Sequence, residues 1–153
     1  MIKFFDPAKG YLSIKGEIDE AIQRVLSMGD LVLREDVEVF EKNLAEFVGT
    51  KYAVALNSGT DAIVLALRAS GIGVGNEVIV PAYTFKSTIG SILAVGATPV
   101  LVDIGEDWKL YRTEKTKAVI PVHIAGELSN WKFEESDNLV VIEDSAQSLG
   151  ARI

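Results

Sequence analysis

From Lys51 onward, short unbroken apolar runs alternate with amphipathic helical stretches, and this alternation limits the possible folds more than any other feature. The runs cover residues 52–56, 77–80, 99–102, 118–120 and 139–142. A run apolar at successive positions buries both faces of a strand, which is the habit of parallel sheets covered by helices. Between the runs, a helix is expected to start at Asn57-Ser58-Gly59-Thr60, reach Ser70 and stop at Gly71. A second runs from about Ser87 to Val95 and ends at Gly96. The expected fold class is α/β, a mainly parallel sheet with flanking helices.

Two helices precede the first run. In residues 15–28, Ile18, Ala21, Ile22, Val25 and Leu26 form one stripe and Gly29 is a stop. Asp36 reads as an N-cap for the next helix, where Val37, Phe40, Leu44, Phe47 and Val48 share a face before Gly49. Residues 1–50 are therefore expected to be a helical segment packing on an α/β domain of residues 51–153, one domain in all. A chain of 153 residues can support one such core.

The charge balance narrows the partners. A net charge of −7 repels a phosphate backbone, so nucleic acid is not an expected partner. With no cysteine, disulfides, thiolate zinc sites and cysteine nucleophiles are excluded. The best candidate for a membrane span, residues 89–102, is broken by Gly90, Ser91, Gly96, Thr98 and Pro99. The start, Met1-Ile2-Lys3-Phe4-Phe5-Asp6-Pro7, lacks the apolar region of a leader. A soluble cytoplasmic protein without membrane partners is the expectation.

Each run empties into polar residues: Asn57-Ser58, Tyr83-Thr84, Asp103, His123 and Glu143-Asp144. In a parallel sheet these ends share one edge, where a small molecule can be gripped. Asn57-Ser58-Gly59-Thr60-Asp61 opens a helix, whose free N–H groups and dipole suit an anion such as phosphate; the same residue types also make a plain N-cap. Phe85 could stack on a planar ring or simply pack in the core. Asp144 follows four apolar residues, so its carboxylate needs a cation or several hydrogen bonds; Asp144-x-x-Gln147 alternatively has the form of a capping box. Gly71-Ile72-Gly73-Val74-Gly75 follows a helix and leads into a strand, which excludes a dinucleotide fingerprint. Ser58, His123 and Asp144 lack the G-x-S-x-G context of a hydrolase, and the single His123 is better explained as a hydrogen-bonded core residue than as a metal ligand.

In order and approximate spacing, six motifs together resemble the pyridoxal-phosphate-dependent sugar-nucleotide aminotransferases of the DegT/DnrJ/StrS group, fold type I. They include Asn57-Ser58-Gly59-Thr60-Asp61-Ala62, the stretch from Gly75 through Pro81-Ala82-Tyr83-Thr84-Phe85, Gly96-Ala97-Thr98-Pro99-Val100, Pro121-Val122-His123 and Ile142-Glu143-Asp144-Ser145-Ala146-Gln147. The resemblance implies the fold of that family's large domain, truncated and without the C-terminal small domain. It implies pyridoxal 5′-phosphate as cofactor, with Gly59 and Thr60 on its phosphate, Phe85 on its ring, Asp144 on the ring nitrogen and Gln147 on the ring hydroxyl. In the family the catalytic lysine lies downstream of the Asp144–Gln147 motif, and no lysine follows Asp144 here. Lys86 is the one lysine near the expected site. The resemblance thus implies the N-terminal part of an enzyme acting on nucleotide-linked keto-sugars, inactive alone, with no covalently attached cofactor and no catalytic residue of its own. The alternatives are a non-catalytic module binding pyridoxal phosphate or a nucleotide sugar, and a degenerate assembly protein of the same fold. A homodimer or a missing C-terminal half is the expected partner.

Overall fold

The computed structural model describes residues 3–29, 32, 34–105, 107–134 and 137–152. Met1 and Ile2 of the amino-terminal stretch read above for a leader lie outside them, as does Ile153. The chain divides into two compact units, Met1–Val54 and Ala55–Ile153.

The first unit is helical. Helix α1 (Pro7–Ser13) was not expected from periodicity; Asp6 caps it by accepting the Lys9 N–H at 3.3 Å, and Pro7 occupies its first turn. Helix α2 (Lys15–Met28) has the expected bounds and ends at Gly29 in the left-handed region, φ 70°. Tyr11 donates to Asp19 at 2.7 Å and Lys15 pairs with the same carboxylate, tying α1 to α2. Helix α3 (Glu35–Val48) starts two residues earlier than Asp36 as N-cap suggests, with Glu35, Asp36 and Glu38 in its first turn, where the helix dipole favours anions. Asp36 serves instead as a clasp, pairing with Arg24 at 3.0 Å and Arg34 at 2.9 Å.

The second unit is the expected α/β sheet. It contains α4 (Gly59–Ala69), β1 (Glu77–Pro81), α5 (Lys86–Ala94), β2 (Thr98–Val102), β3 (Thr116–Val119) and β4 (Val140–Val141). The strands are all parallel, in the order β2-β1-β3-β4. Alternation along β1 explains why the run had to be apolar throughout. Val78 and Val80 join Ile63 and Leu67 of α4 and Ile92 of α5, while Ile79 joins Trp108 and Trp131 in a second cluster. Each fully buried side chain of this size contributes about 1.5–3 kcal/mol.

One expected strand is absent. Residues 52–56 carry the composition of a buried strand, yet they lie outside the sheet, and Val54 is 74% exposed. Apolar residues make a strand only where a neighbour accepts their backbone hydrogen bonds. Here β2 and β4 are the sheet's edges and neither pairs with residues 52–56.

Candidate functional site

Because the strands are parallel, their carboxyl ends collect at one edge, and backbone bonds extend the β3–β4 pairing into the polar segments beyond. The N–H of Ile142 donates to Val119 O, that of Asp144 to Pro121 O, and that of His123 to Asp144 O, each at 3.0 Å. Asp144 is therefore held by its own backbone on both sides. Its side chain is engaged as well: Oδ2 accepts the Thr88 hydroxyl at 2.8 Å and Oδ1 accepts the Ala146 N–H at 3.3 Å. Thr88 in turn lies 2.9 Å from the Thr84 hydroxyl. The carboxylate's requirement for partners is met by a hydroxyl and an amide, both neutral.

The capping-box alternative does not hold. Residues 146–150 form turns rather than a helix, and the Asp144 N–H donates to Pro121 O instead of to the Gln147 side chain. Gln147 Oε1 accepts the Ala125 N–H at 3.0 Å. Ala125 has a left-handed backbone, φ 54°, within a tight turn closed by the bridge between Ile124 and Glu127. With its oxygen so used, the Gln147 amide presents its NH₂ as the remaining donor.

At the start of α4, Ser58 is the N-cap, its hydroxyl oxygen accepting the Asp61 N–H at 3.1 Å. Ser58 Oγ also contacts Asp61 Oδ2 at 2.8 Å, and Asn57 donates to the same oxygen at 2.7 Å. These bonds, Ser58 foremost, hold the Asp61 carboxyl below the usual carboxylate range. Ala62 N–H is taken by Ser58 O. Among the described residues, no helical or side-chain bond takes the N–H of Gly59 or Thr60, and a Cβ at Gly59 would meet nothing within 4 Å. Capping and an open pair of donors thus coexist, so the two readings of this motif are compatible. Ser91, fully buried on α5, lies 3.1 Å from Thr60 O and 2.7 Å from Ser87 O, joining α5 to the start of α4.

Phe85 occupies the N-cap position of α5 and the residue is 66% exposed, so it is not a core residue. Lys86 beside it is also exposed. His123 is buried, its Nδ1 accepting the Ser129 N–H at 2.9 Å, as expected of a core histidine. The side chains of Ser58, His123 and Asp144 each bond to other groups, and among the described residues no side-chain hydrogen bond links the three. A cavity of about 550 Å³ opens at the same sheet edge, beside Tyr83, Ile104, Val122, Ile124 and Trp131.

Helix α5 is what unites the site. Phe85 stands at its start, Thr88 reaches Asp144, and Ser91 reaches Thr60. Sequence reasoning singled out Asp144 and Gln147 and placed Thr84 at a strand end, but missed Thr88 and Ala125, which orient them. The available signal was weak: two threonines four residues apart, Thr84 just before α5 and Thr88 on its buried face beside Ile92.

This constellation sits on a chain whose residues 12–153 match the DegT/DnrJ/EryC1/StrS aminotransferase family. The chain belongs to that family. It is 39% identical to UDP-2-acetamido-2-deoxy-3-oxo-D-glucuronate aminotransferase of Pseudomonas aeruginosa, with 99% of this chain and 45% of that protein aligned. It is 38% identical to dTDP-3-amino-3,4,6-trideoxy-alpha-D-glucose transaminase of Streptomyces venezuelae, over 99% of this chain and 43% of that one. Among solved structures, DesV of S. venezuelae in complex with a ketimine intermediate superposes with a TM-score of 0.88 at 36% identity, covering 97% of this chain and 43% of DesV. NtdA of Bacillus subtilis with bound cofactor PMP gives 0.80 at 32% identity, covering 90% and 34%. The chain spans less than half the length of these relatives. The α/β architecture is that of fold type I aminotransferases over this part of their length. Among the described residues, no helix is long and apolar enough to cross a membrane.

Proposed function

We propose that these residues form the cofactor-holding part of a pyridoxal-phosphate-dependent aminotransferase acting on nucleotide-linked keto-sugars. The observation that carries this reading is the placing of Asp144. Its carboxylate stands at the carboxyl end of the sheet, fixed through its backbone and by the Thr88 hydroxyl of α5, the helix that also braces the open start of α4.

The residues present fit the cofactor. The free N–H groups of Gly59 and Thr60, with no side chain at Gly59 to obstruct approach, suit a phosphate at a helix start. The exposed ring of Phe85 offers a flat apolar face. Asp144 offers a carboxylate to a protonated ring nitrogen, a charge-assisted bond of roughly 1.5–3 kcal/mol. The NH₂ of Gln147 is left to donate to the ring hydroxyl because Ala125 has claimed the amide oxygen. When bound, pyridoxal phosphate supplies an electron sink for moving an amino group. The protein's part is to keep the ring nitrogen protonated through Asp144 and the ring plane fixed through Phe85 and Gln147.

No lysine follows Asp144 in these residues. We therefore assign them binding and orientation, with the amine that engages the cofactor aldehyde supplied from outside them. Non-covalent binding of the cofactor is the behaviour expected of this chain by itself. Cytoplasmic location and self-association belong to the same proposal. The free edges of β2 and β4 and the exposed Ile22, Leu26, Phe40 and Phe47 support the latter.

Mixing the chain with pyridoxal phosphate and reducing with borohydride tests the assignment. Saturable binding with no labelled lysine is expected. A stoichiometric label on Lys86 would overturn it by placing the reactive amine at the start of α5.

A further inference from the structure

We infer that Thr88 is a positioning residue that orients Asp144 toward a ring nitrogen, through a proton-ordered chain running Thr84 to Thr88 to Asp144. The inference rests on the reading of Asp144 given above and goes beyond it, since Thr88 and Thr84 touch no part of the cofactor in that reading.

Direction follows from counting protons. A hydroxyl has one proton to donate, and a carboxylate only accepts. The 2.8 Å contact from Thr88 Oγ1 to Asp144 Oδ2 therefore uses the single Thr88 proton. The 2.9 Å contact between Thr84 and Thr88 must then run the other way, with Thr84 donating. Each bond in such a chain strengthens the next.

Placement makes the chain more than a local convenience. Thr88 is 1% exposed, so it has no water to turn to, and its hydroxyl has a fixed partner 56 residues away in sequence. It shares the buried face of α5 with Ser91 and Ile92. The helix seated by Ile92 and Ser91 therefore sets where the Thr88 hydroxyl points, and through it one oxygen of Asp144. The other oxygen is held by the Ala146 N–H. Both carboxylate oxygens are thus aimed by the protein, and the carboxylate does not swing to meet a ligand.

Affinity for pyridoxal phosphate, compared with its deaza analogue (C–H in place of the ring nitrogen), separates this role from simple packing. The wild-type chain is expected to prefer pyridoxal phosphate. Thr88→Val keeps the shape but removes the hydroxyl, and should cut that preference about tenfold, the effect of one hydrogen bond to a charged group. Its affinity for the deaza analogue should stay unchanged. Thr88→Ser should restore the preference, and Thr84→Val should lower it about two- to threefold by removing only the outer link. If Thr88→Val fails to fold, Thr84→Val and Thr88→Ser decide alone. A wild-type preference that survives in Thr88→Val, or in Thr84→Val where that variant must decide, overturns the role of the threonines while leaving Asp144 as ring partner. A wild-type chain that binds both ligands equally, or neither, overturns the reading of Asp144 and this inference with it.

Discussion

Asp144 and Asp61 are both carboxylates at helix or strand ends, but their surroundings give them different roles. Asp61 is taken up by Ser58 and Asn57, which steady the loop before α4 and hold its proton affinity below the usual range. Asp137 is lowered in the same direction, first by the backbone N–H of Glu134 and then by Lys109. A group with a depressed folded value stabilises the fold above its unfolded value, and that contribution disappears as pH falls through the folded value. Acid unfolding of the chain should therefore steepen below the ordinary carboxylate range. Asp61→Asn should flatten that part of the profile, read by circular dichroism along a pH series; an unchanged profile would show that Asp61 carries none of it. Asp144→Asn should weaken pyridoxal phosphate binding at least tenfold, measured by absorbance titration, because a neutral amide loses the charge-assisted bond. The candidate residues were legible because strand ends and helix caps have local signatures. Thr88 was not, since its bond to Asp144 exists only once α5 and β4 lie on the same sheet.

Elements were legible where the periodic signal and the stop agreed. Helix α2 ends at Gly29 as its stripe requires, and β1 ends at Pro81, where the sequence places its stop. Residues 52–56 failed because composition announces only a willingness to be buried, whereas a strand also needs a hydrogen-bonding neighbour. Helix α1 was missed because its residues, from Pro7 to Ser13, show no apolar stripe, and capping by Asp6 is what defines it. Gly96 is the element-scale position with least tolerance. It has φ 80°, and a Cβ there would lie 2.8 Å from Val74 Cγ2, so the turn from α5 into β2 accepts only glycine. Gly96→Ala should cost about 1–3 kcal/mol, a drop of several degrees in thermal midpoint by scanning calorimetry. No change would mean the turn relaxes freely.

At the scale of the whole molecule, the family's architecture is present over less than half of the relatives' length, and the surface reflects this. Both edge strands, β2 and β4, pair on one side only and offer unpaired backbone groups to a second chain. Light scattering should show the 16.6 kDa chain associating as concentration rises. A clean monomer at high concentration would contradict that expectation. The fold class was readable from alternation alone, because both faces of β1 are covered and the sequence had to pay for both with apolar residues.

The most direct measurement is a crystal structure of this chain soaked with pyridoxal phosphate. The phosphate should sit against the N–H groups of Gly59 and Thr60, with the ring on Phe85 and its nitrogen within hydrogen-bond distance of Asp144. Density at another place, or a ring nitrogen facing away from Asp144, would contradict the account.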